Sequence, residues 1–219
     1  MSKRKLIRSD CFPYHVTARG NNRERFPLTL DSVWKIATEE LAITSDLYGA
    51  EVQAFVLMPN HFHLLITTPD VDLGKIMQIF MSNFTRRVNI LSGRTGRIFG
   101  APYRPSLITS GNYYGHALKY VYRNPVKARL CEQIEEYEFS TGGRLFGQGH
   151  LPIPMHLTRV GFELALPDLN HSGPWLEWLN HPFSRETELL IEKSLNKKIV
   201  RELIHPITRR PYLKLKQRV

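Results

Sequence analysis

Two pairs of residues in this chain could do chemistry. His61 and His63 stand two apart, and Tyr120 and Asn124 stand four apart. Residues two apart on a strand point to the same face, and residues four apart on a helix lie one above the other. Two imidazoles on one face of a rigid strand make half of a metal site. The same pattern also describes two histidines satisfied by hydrogen bonds at a strand edge. An amide oxygen from Asn124 would add a third donor and leave positions open for phosphate and water. A tyrosine beside such a site suggests covalent attack on a phosphodiester. A phenol is a poor nucleophile at its ordinary pKa of about 10. A divalent cation on the non-bridging oxygens would neutralise developing charge and position the phosphorus, and a phosphotyrosine would keep the bond energy for a later transfer.

The elements that must position these residues are legible in outline. Val52 to Thr67 is read as two buried strands joined by a turn at Pro59-Asn60, where Pro presets φ and Asn tolerates a left-handed backbone. His61 and His63 then share one face of the second strand and Phe62 takes the other. Tyr14 to Arg19 is read as the first strand, ended by Gly20-Asn21-Asn22. His15 on that strand could line the histidine face. A helix capped by Asp31 or Ser32 is expected to run to about Tyr48, with Val33, Ile36, Ala37, Leu41, Thr44 and Leu47 at helical spacing and Gly49 as the stop. A second helix is expected from about Leu73 to Leu91, burying Leu73, Ile76, Met77, Phe80, Phe84 and Val88. Strand segments are expected at Ile98-Phe99 and at Arg104 to Thr109, placed at edges by Pro102 and Pro105. A third helix, opened by Ser110-Gly111-Asn112 and ended by Pro125, carries Tyr120. Helices separated by antiparallel strands predict an α+β fold, a ferredoxin-like sandwich with an antiparallel sheet and helices on its faces.

The domain expected at 1–140 is followed, over 141–219, by a Gly/Pro-rich linker from Thr141 to Pro154 and a small, helical, basic extension. Trp175, Leu176, Trp178 and Leu179 read there as a packing knot, and Ser184 caps a helix from Arg185 to about Ile204. The formal net charge is +10, which favours a polyanion such as nucleic acid. An anionic membrane is the other option, but no apolar run approaches the roughly 20 residues of a span, and the basic start lacks an apolar signal segment. Cys11 and Cys131 read as reduced thiols, and the expected location is the cytoplasm.

Three stretches, Tyr14 to Asn21, Val56 to Leu65 and Tyr120 to Ala128, occur in the order and spacing of the HUH single-tyrosine transposases. The chain resembles most the REP-associated tyrosine transposases, over about residues 10 to 140. The resemblance implies that His61 and His63 are metal ligands, Asn124 the polar third ligand, and Tyr120 the nucleophile. It implies cutting and transfer of single-stranded DNA next to hairpins through a 5′-phosphotyrosine, with Mg2+ or Mn2+, by a monomer or homodimer. His15 and Arg19 match the first-strand motif, as substrate or metal-side support. The candidate DNA contacts are His15, Arg19, Arg23, Arg86, Arg87, Arg104, Arg209 and Arg210. Two departures stand out: the loop Gly96 to Arg104 lacks the Gln usual after its aromatic residue, and the tail lacks the dense Arg/Gly/Pro ending of that branch. Tyr113, Tyr114 and Tyr122 compete with Tyr120, but Tyr122 is turned about 200° from it around a helix and cannot share the face of Asn124. The competing functions are a catalytically silent DNA-binding protein on the same fold and a zinc hydrolase of small substrates.

Overall fold

The computed structural model describes residues 6–147, 149–156 and 173–201. Among them the sheet runs in the order β2-β3-β1-β4-β5. These strands are β1 (Tyr14–Arg19), β2 (Glu51–Met58), β3 (His61–Thr67), β4 (Arg104–Ile108) and β5 (Ile199–Val200). β1 pairs antiparallel with β3 and β4, β2 antiparallel with β3, and β5 parallel with β4. The expected α+β sheet with helices on its faces is present. Its departure from a purely antiparallel sheet is the short β5, which comes from the segment assigned to the extension.

The strands' alternation divides the core. Tyr14, Val16 and Ala18 of β1, Phe62, Leu64 and Ile66 of β3 and Leu107 of β4 face one layer. Against it pack α1 (Leu30–Tyr48) and α2 (Leu73–Ser92). α1 contributes Val33, Trp34, Ile36, Ala37 and Leu41, and all six residues expected from α2 are buried. Phe26, Phe62, Phe80, Phe84 and Phe99 meet there edge-on or tilted, geometry that adds to area burial. Phe99 reaches this cluster from a loop, not a strand: its segment makes one isolated bridge, Phe99 to Gly20.

On the other face, Ala54, Val56 and Met58 of β2, Leu65 of β3 and Ile108 of β4 pack under α3 (Gly111–Tyr122). A bulge between Val52 and Ala54 shifts the phase of β2, so that Val52 and Phe55 share a layer although they are three apart. α3 stops where Pro125 lacks an N–H, and a single further turn, α4 (Asn124–Lys127), begins with that proline in its first turn. The cap of α1 is neither Asp31 nor Ser32 but Thr29, two or three residues earlier, whose Oγ1 accepts from Ser32 N, so that Asp31 and Ser32 lie inside the first turn. Asn60 does not use a left-handed backbone: the described non-glycine residues with positive φ are Asn22, Arg23 and Arg129.

The expected linker begins with a short helix instead, α5 (Thr141–Phe146). Leu57 N donates to Phe139 O and Phe55 N to Thr141 Oγ1, both at 2.9 Å, so this segment covers the open edge of β2. Residues 173–201 fold back on α3 through α6 (Gly173–Asn180) and α7 (Arg185–Leu195). Tyr113 Oη donates to Ile191 O at 2.9 Å, and Arg123 Nη1 to the carbonyls of Leu179 and Asn180. Leu179 is buried, as a packing knot requires, while Trp178 and Phe183 lie over the Lys119 ammonium at 4.5 and 4.8 Å. α7 ends at Leu195, well before Ile204, because the chain must turn to lay Ile199–Val200 beside β4. No described helix is long and apolar enough to cross a membrane.

Candidate active site

His61 and His63 lie side by side on the α3 face of β3, with ring centroids 5.1 Å apart and nearly perpendicular planes. Directly across on β1, Arg19 pairs with His61 and Thr17 with His63. His15, one step along β1, reaches diagonally, its Nε2 2.9 Å from His63 Nδ1. By the same alternation Arg104, opposite Thr17 on β4, falls on this face and is exposed.

Each histidine is held by its Nδ1. His61 Nδ1 lies 2.7 Å from Asn60 Oδ1. The other end of that amide, Nδ2, donates to Arg23 O at 2.7 Å, and only an NH2 can do so. Oδ1 therefore faces the ring, His61 Nδ1 carries the proton, and Nε2 keeps a free lone pair. Asn60 O in turn accepts from Gly20 N at 2.7 Å, an approach so close that a Cβ on Gly20 would sit 3.1 Å from that oxygen. Asn60 is thus more than a turn residue: it ties the His61 ring to the end of β1. Burial, with a smaller effect of Arg19, lowers the pKa of His61 to about 4. Burial lowers His15 to about 4, and burial together with its cationic and imidazole neighbours lowers His63 well below the usual value. All three rings are neutral at pH 7, the form in which imidazole binds metals.

Tyr120 comes down on these rings from α3. Its ring meets His63 edge-on at 6.0 Å, and its hydroxyl makes no hydrogen bond among the described residues. Asn124 is one turn on. Its Nδ2 donates to Tyr120 O at 2.8 Å and, more weakly, to Val121 O at 3.4 Å, the carbonyl that Pro125 cannot serve. That contact fixes the amide orientation and leaves Oδ1 without a partner among the described residues. The competing tyrosines are committed elsewhere. Tyr122 is buried, its hydroxyl 3.2 Å from Thr141 Oγ1 and its ring against Gly142, while Tyr113 bonds to α7 and Tyr114 is fully buried.

The surroundings of Tyr120 include residues that sequence reasoning passed over. Lys127 Nζ lies 5.8 Å from the Tyr120 ring and pairs with Glu188 at 3.5 Å and Glu192 at 3.2 Å. The seven-residue step from Tyr120 to Lys127 was a usable signal for the lysine; nothing near Tyr120 in the sequence pointed to α7. Burial first, then Glu192 and Glu188, push the phenol pKa up, and Arg19 opposes them.

The remaining candidate contacts do not gather here. Arg23 sits in the turn after β1 with φ +62°. Arg86 and Arg87 lie on α2, beneath the opposite face of the sheet. Arg86 lines a groove of about 650 Å3 with Arg97 and Tyr103. Arg87 bridges α2 to α1 through Glu39 at 2.5 Å and Glu40 at 2.9 Å, so its charge is already neutralised. Arg209 and Arg210 lie outside the described residues.

No cluster of three or more His, Cys, Asp or Glu residues able to hold a metal occurs among the described residues. A cation here would rest on His61 Nε2, His63 Nε2 and Asn124 Oδ1. Two neutral imidazoles with outer partners on Nδ1 and an amide oxygen with its nitrogen tied back fit that role.

Residues 10–95 match the family model described as "Transposase IS200 like". The chain is 29% identical over 105 residues to the REP-associated tyrosine transposase of Escherichia coli K12, a stretch covering 47% of this chain. That stretch spans 61% of the relative's length, less than two thirds. A solved structure described as a REP-associated tyrosine transposase bound to a REP hairpin superposes with a TM-score of 0.59 at 21% identity, over 72% of this chain and 94% of that one. The last shows a shared fold. Together these matches bear out the resemblance to the REP-associated tyrosine transposases.

Proposed function

We propose that this relative of the REP-associated tyrosine transposases is itself a DNA-cutting transposase, which nicks and transfers single-stranded DNA beside a hairpin. The observation that carries the reading is the unbonded Tyr120 hydroxyl, on a ring 6.0 Å from His63 and one helical turn before Asn124. The Tyr120 oxygen attacks the phosphorus in line, and a P–Oη bond replaces the P–O3′ bond. The 3′ oxygen leaves and takes up a proton, the phenol proton is lost to solvent, and the product is a 5′-phosphotyrosine with a free 3′-OH. His61, His63 and Asn124 would hold Mg2+ or Mn2+. When bound, such a cation supplies charge neutralisation at the scissile phosphate. Burial, with Glu192 and Glu188, otherwise holds Tyr120 protonated, and Arg19 on the facing strand is the positive charge that opposes them. Arg19 and Arg104 at this face of the sheet would track the backbone of the strand being cut. The hairpin part of the substrate is supported by the hairpin carried in the structure of the same fold.

A hairpin oligonucleotide with a single-stranded flank tests the reading. Cleavage is expected with Mg2+ or Mn2+, none with chelator, and none with His61→Ala, which should still retain the hairpin in a gel-shift assay. Binding without cleavage under every metal condition would instead identify a silent DNA-binding protein.

A further inference from the structure

His15 is 3% exposed, on the strand next to β3, and no chemistry described so far uses it directly. Its Nε2 faces His63 Nδ1 at 2.9 Å, with the two rings only 20° from parallel. A single proton lies between those nitrogens, and two arrangements are possible. In one, His15 Nε2–H donates to His63 Nδ1; His63 then carries its own proton on Nε2 and has no lone pair to offer. In the other, His63 Nδ1–H donates to His15 Nε2, and His63 Nε2 is bare. His15 Nδ1 is buried without a partner in either arrangement, so nothing beyond His15 selects between them.

His61 shows how the site resolves the same ambiguity elsewhere. There the acceptor is an amide oxygen whose orientation is fixed by Arg23 O, and the proton has one place to go. Metal-binding histidines as a rule donate their second N–H to such an outer acceptor. For His63 the facing acceptor is an imidazole. We propose that His15 is a positioning residue, accepting the Nδ1 proton of His63 so that the Nε2 lone pair of His63 is presented beside His61 and Tyr120. The inference rests on the metal reading of His61 and His63 given above. It explains a histidine buried with one nitrogen unsatisfied, an arrangement that otherwise only costs stability. It also makes β1 part of the site: a slip in the β1–β3 register would remove the diagonal contact and with it the support of His63.

Two substitutions in the full-length protein separate this role from plain packing. His15→Phe keeps the ring volume and removes the acceptor. His15→Gln places an amide oxygen near the position of Nε2. The readouts are Mn2+ affinity, from the paramagnetic resonance signal of the free ion, and the 15N shifts of the His63 ring in the metal-free protein. His15→Phe should weaken Mn2+ binding by about 10- to 100-fold, while His15→Gln should stay near wild type. In the wild-type protein the His63 proton should be on Nδ1. Wild-type affinity in folded His15→Phe, equal losses in both variants, or a His63 proton on Nε2 in the wild-type protein would each overturn the assignment. Should wild-type protein bind no Mn2+, the metal reading fails, and the ring shifts still decide whether His15 sets the tautomer of His63.

Discussion

The two faces of one sheet make the instructive comparison. Along β3, Phe62, Leu64 and Ile66 enter a layer closed by α1 and α2, where aromatic rings fill the space. The alternate positions, His61 and His63, enter a layer closed by α3, where every ring nitrogen and hydroxyl must be accounted for. Both faces bury apolar side chains, but around His61 and His63 the second depends also on where the ring protons sit. A strand that is rigid because one side is packed can hold side chains on its other side to the tolerance that in-line chemistry demands. The apolar face is therefore the scaffold of the polar one, and substitutions on the two should fail in different ways.

The largest contrast should come from Phe62 and His61, adjacent residues on opposite faces. Phe62→Ala removes the centre of the aromatic cluster and should cost about 3–5 kcal/mol of stability, with activity lost through unfolding. His61→Ala, half-buried, should cost about 1 kcal/mol or less while removing cleavage. Urea denaturation of both variants checks this; equal destabilisation would mean that the histidine face is structural too.

Acid should expose the polar face next. His15, His61 and His116 are lowered to about 4, and His63 lies well below the ordinary value of 6.5, burial being the first cause in each case. An unfolded chain takes up these protons as pH falls below about 6.5, and the folded chain does not, so stability is full above that pH and is lost towards pH 4. Each buried histidine contributes up to about 1.4 kcal/mol per pH unit in that window. Melting temperatures measured from pH 7.5 to 4.5 should fall, and His15→Phe should flatten the slope. A flat profile in the wild-type protein would contradict the neutral, buried state of these rings.

A smaller effect separates the arginines of the two faces. Arg19→Ala should weaken DNA binding and reduce the slope of log affinity against log salt by about one. Arg87→Ala should leave that slope unchanged and cost about 1 kcal/mol of stability, since it removes a bridge between α1 and α2. If Arg87 changes the slope as Arg19 does, DNA wraps onto the α2 side as well.

How much of this was legible follows from the range of each interaction. The shared face of His61 and His63 and that of Tyr120 and Asn124 are set by local periodicity, and a sequence displays periodicity. The buried stripe of α2 was legible for the same reason. The contact from His15 to His63 depends on the register of β1 against β3, and no local pattern records which residue of one strand faces which of another. Asn60 was legible as a turn residue, but its hold on His61 needs the Arg23 carbonyl to arrive from the β1 turn. Arg87 read as a free cation because its partners, Glu40 and Glu39, lie 47 and 48 residues away. The fold-back of α7, which brings Glu188 and Glu192 towards Tyr120, was hidden because its helical pattern shows an apolar face without naming what covers it.

The central claim, that Tyr120 on the polar face is the nucleophile, is tested most directly by trapping its product. A 3′-labelled oligonucleotide keeps its label on the fragment joined to protein through a 5′-phosphotyrosine, so a denaturing gel should show a labelled protein band with wild-type protein and with Tyr122→Phe. Tyr120→Phe removes only the hydroxyl and should fold and bind DNA normally yet give no such band. A band that persists in Tyr120→Phe, or clean cleavage with no band in any variant, would contradict the account.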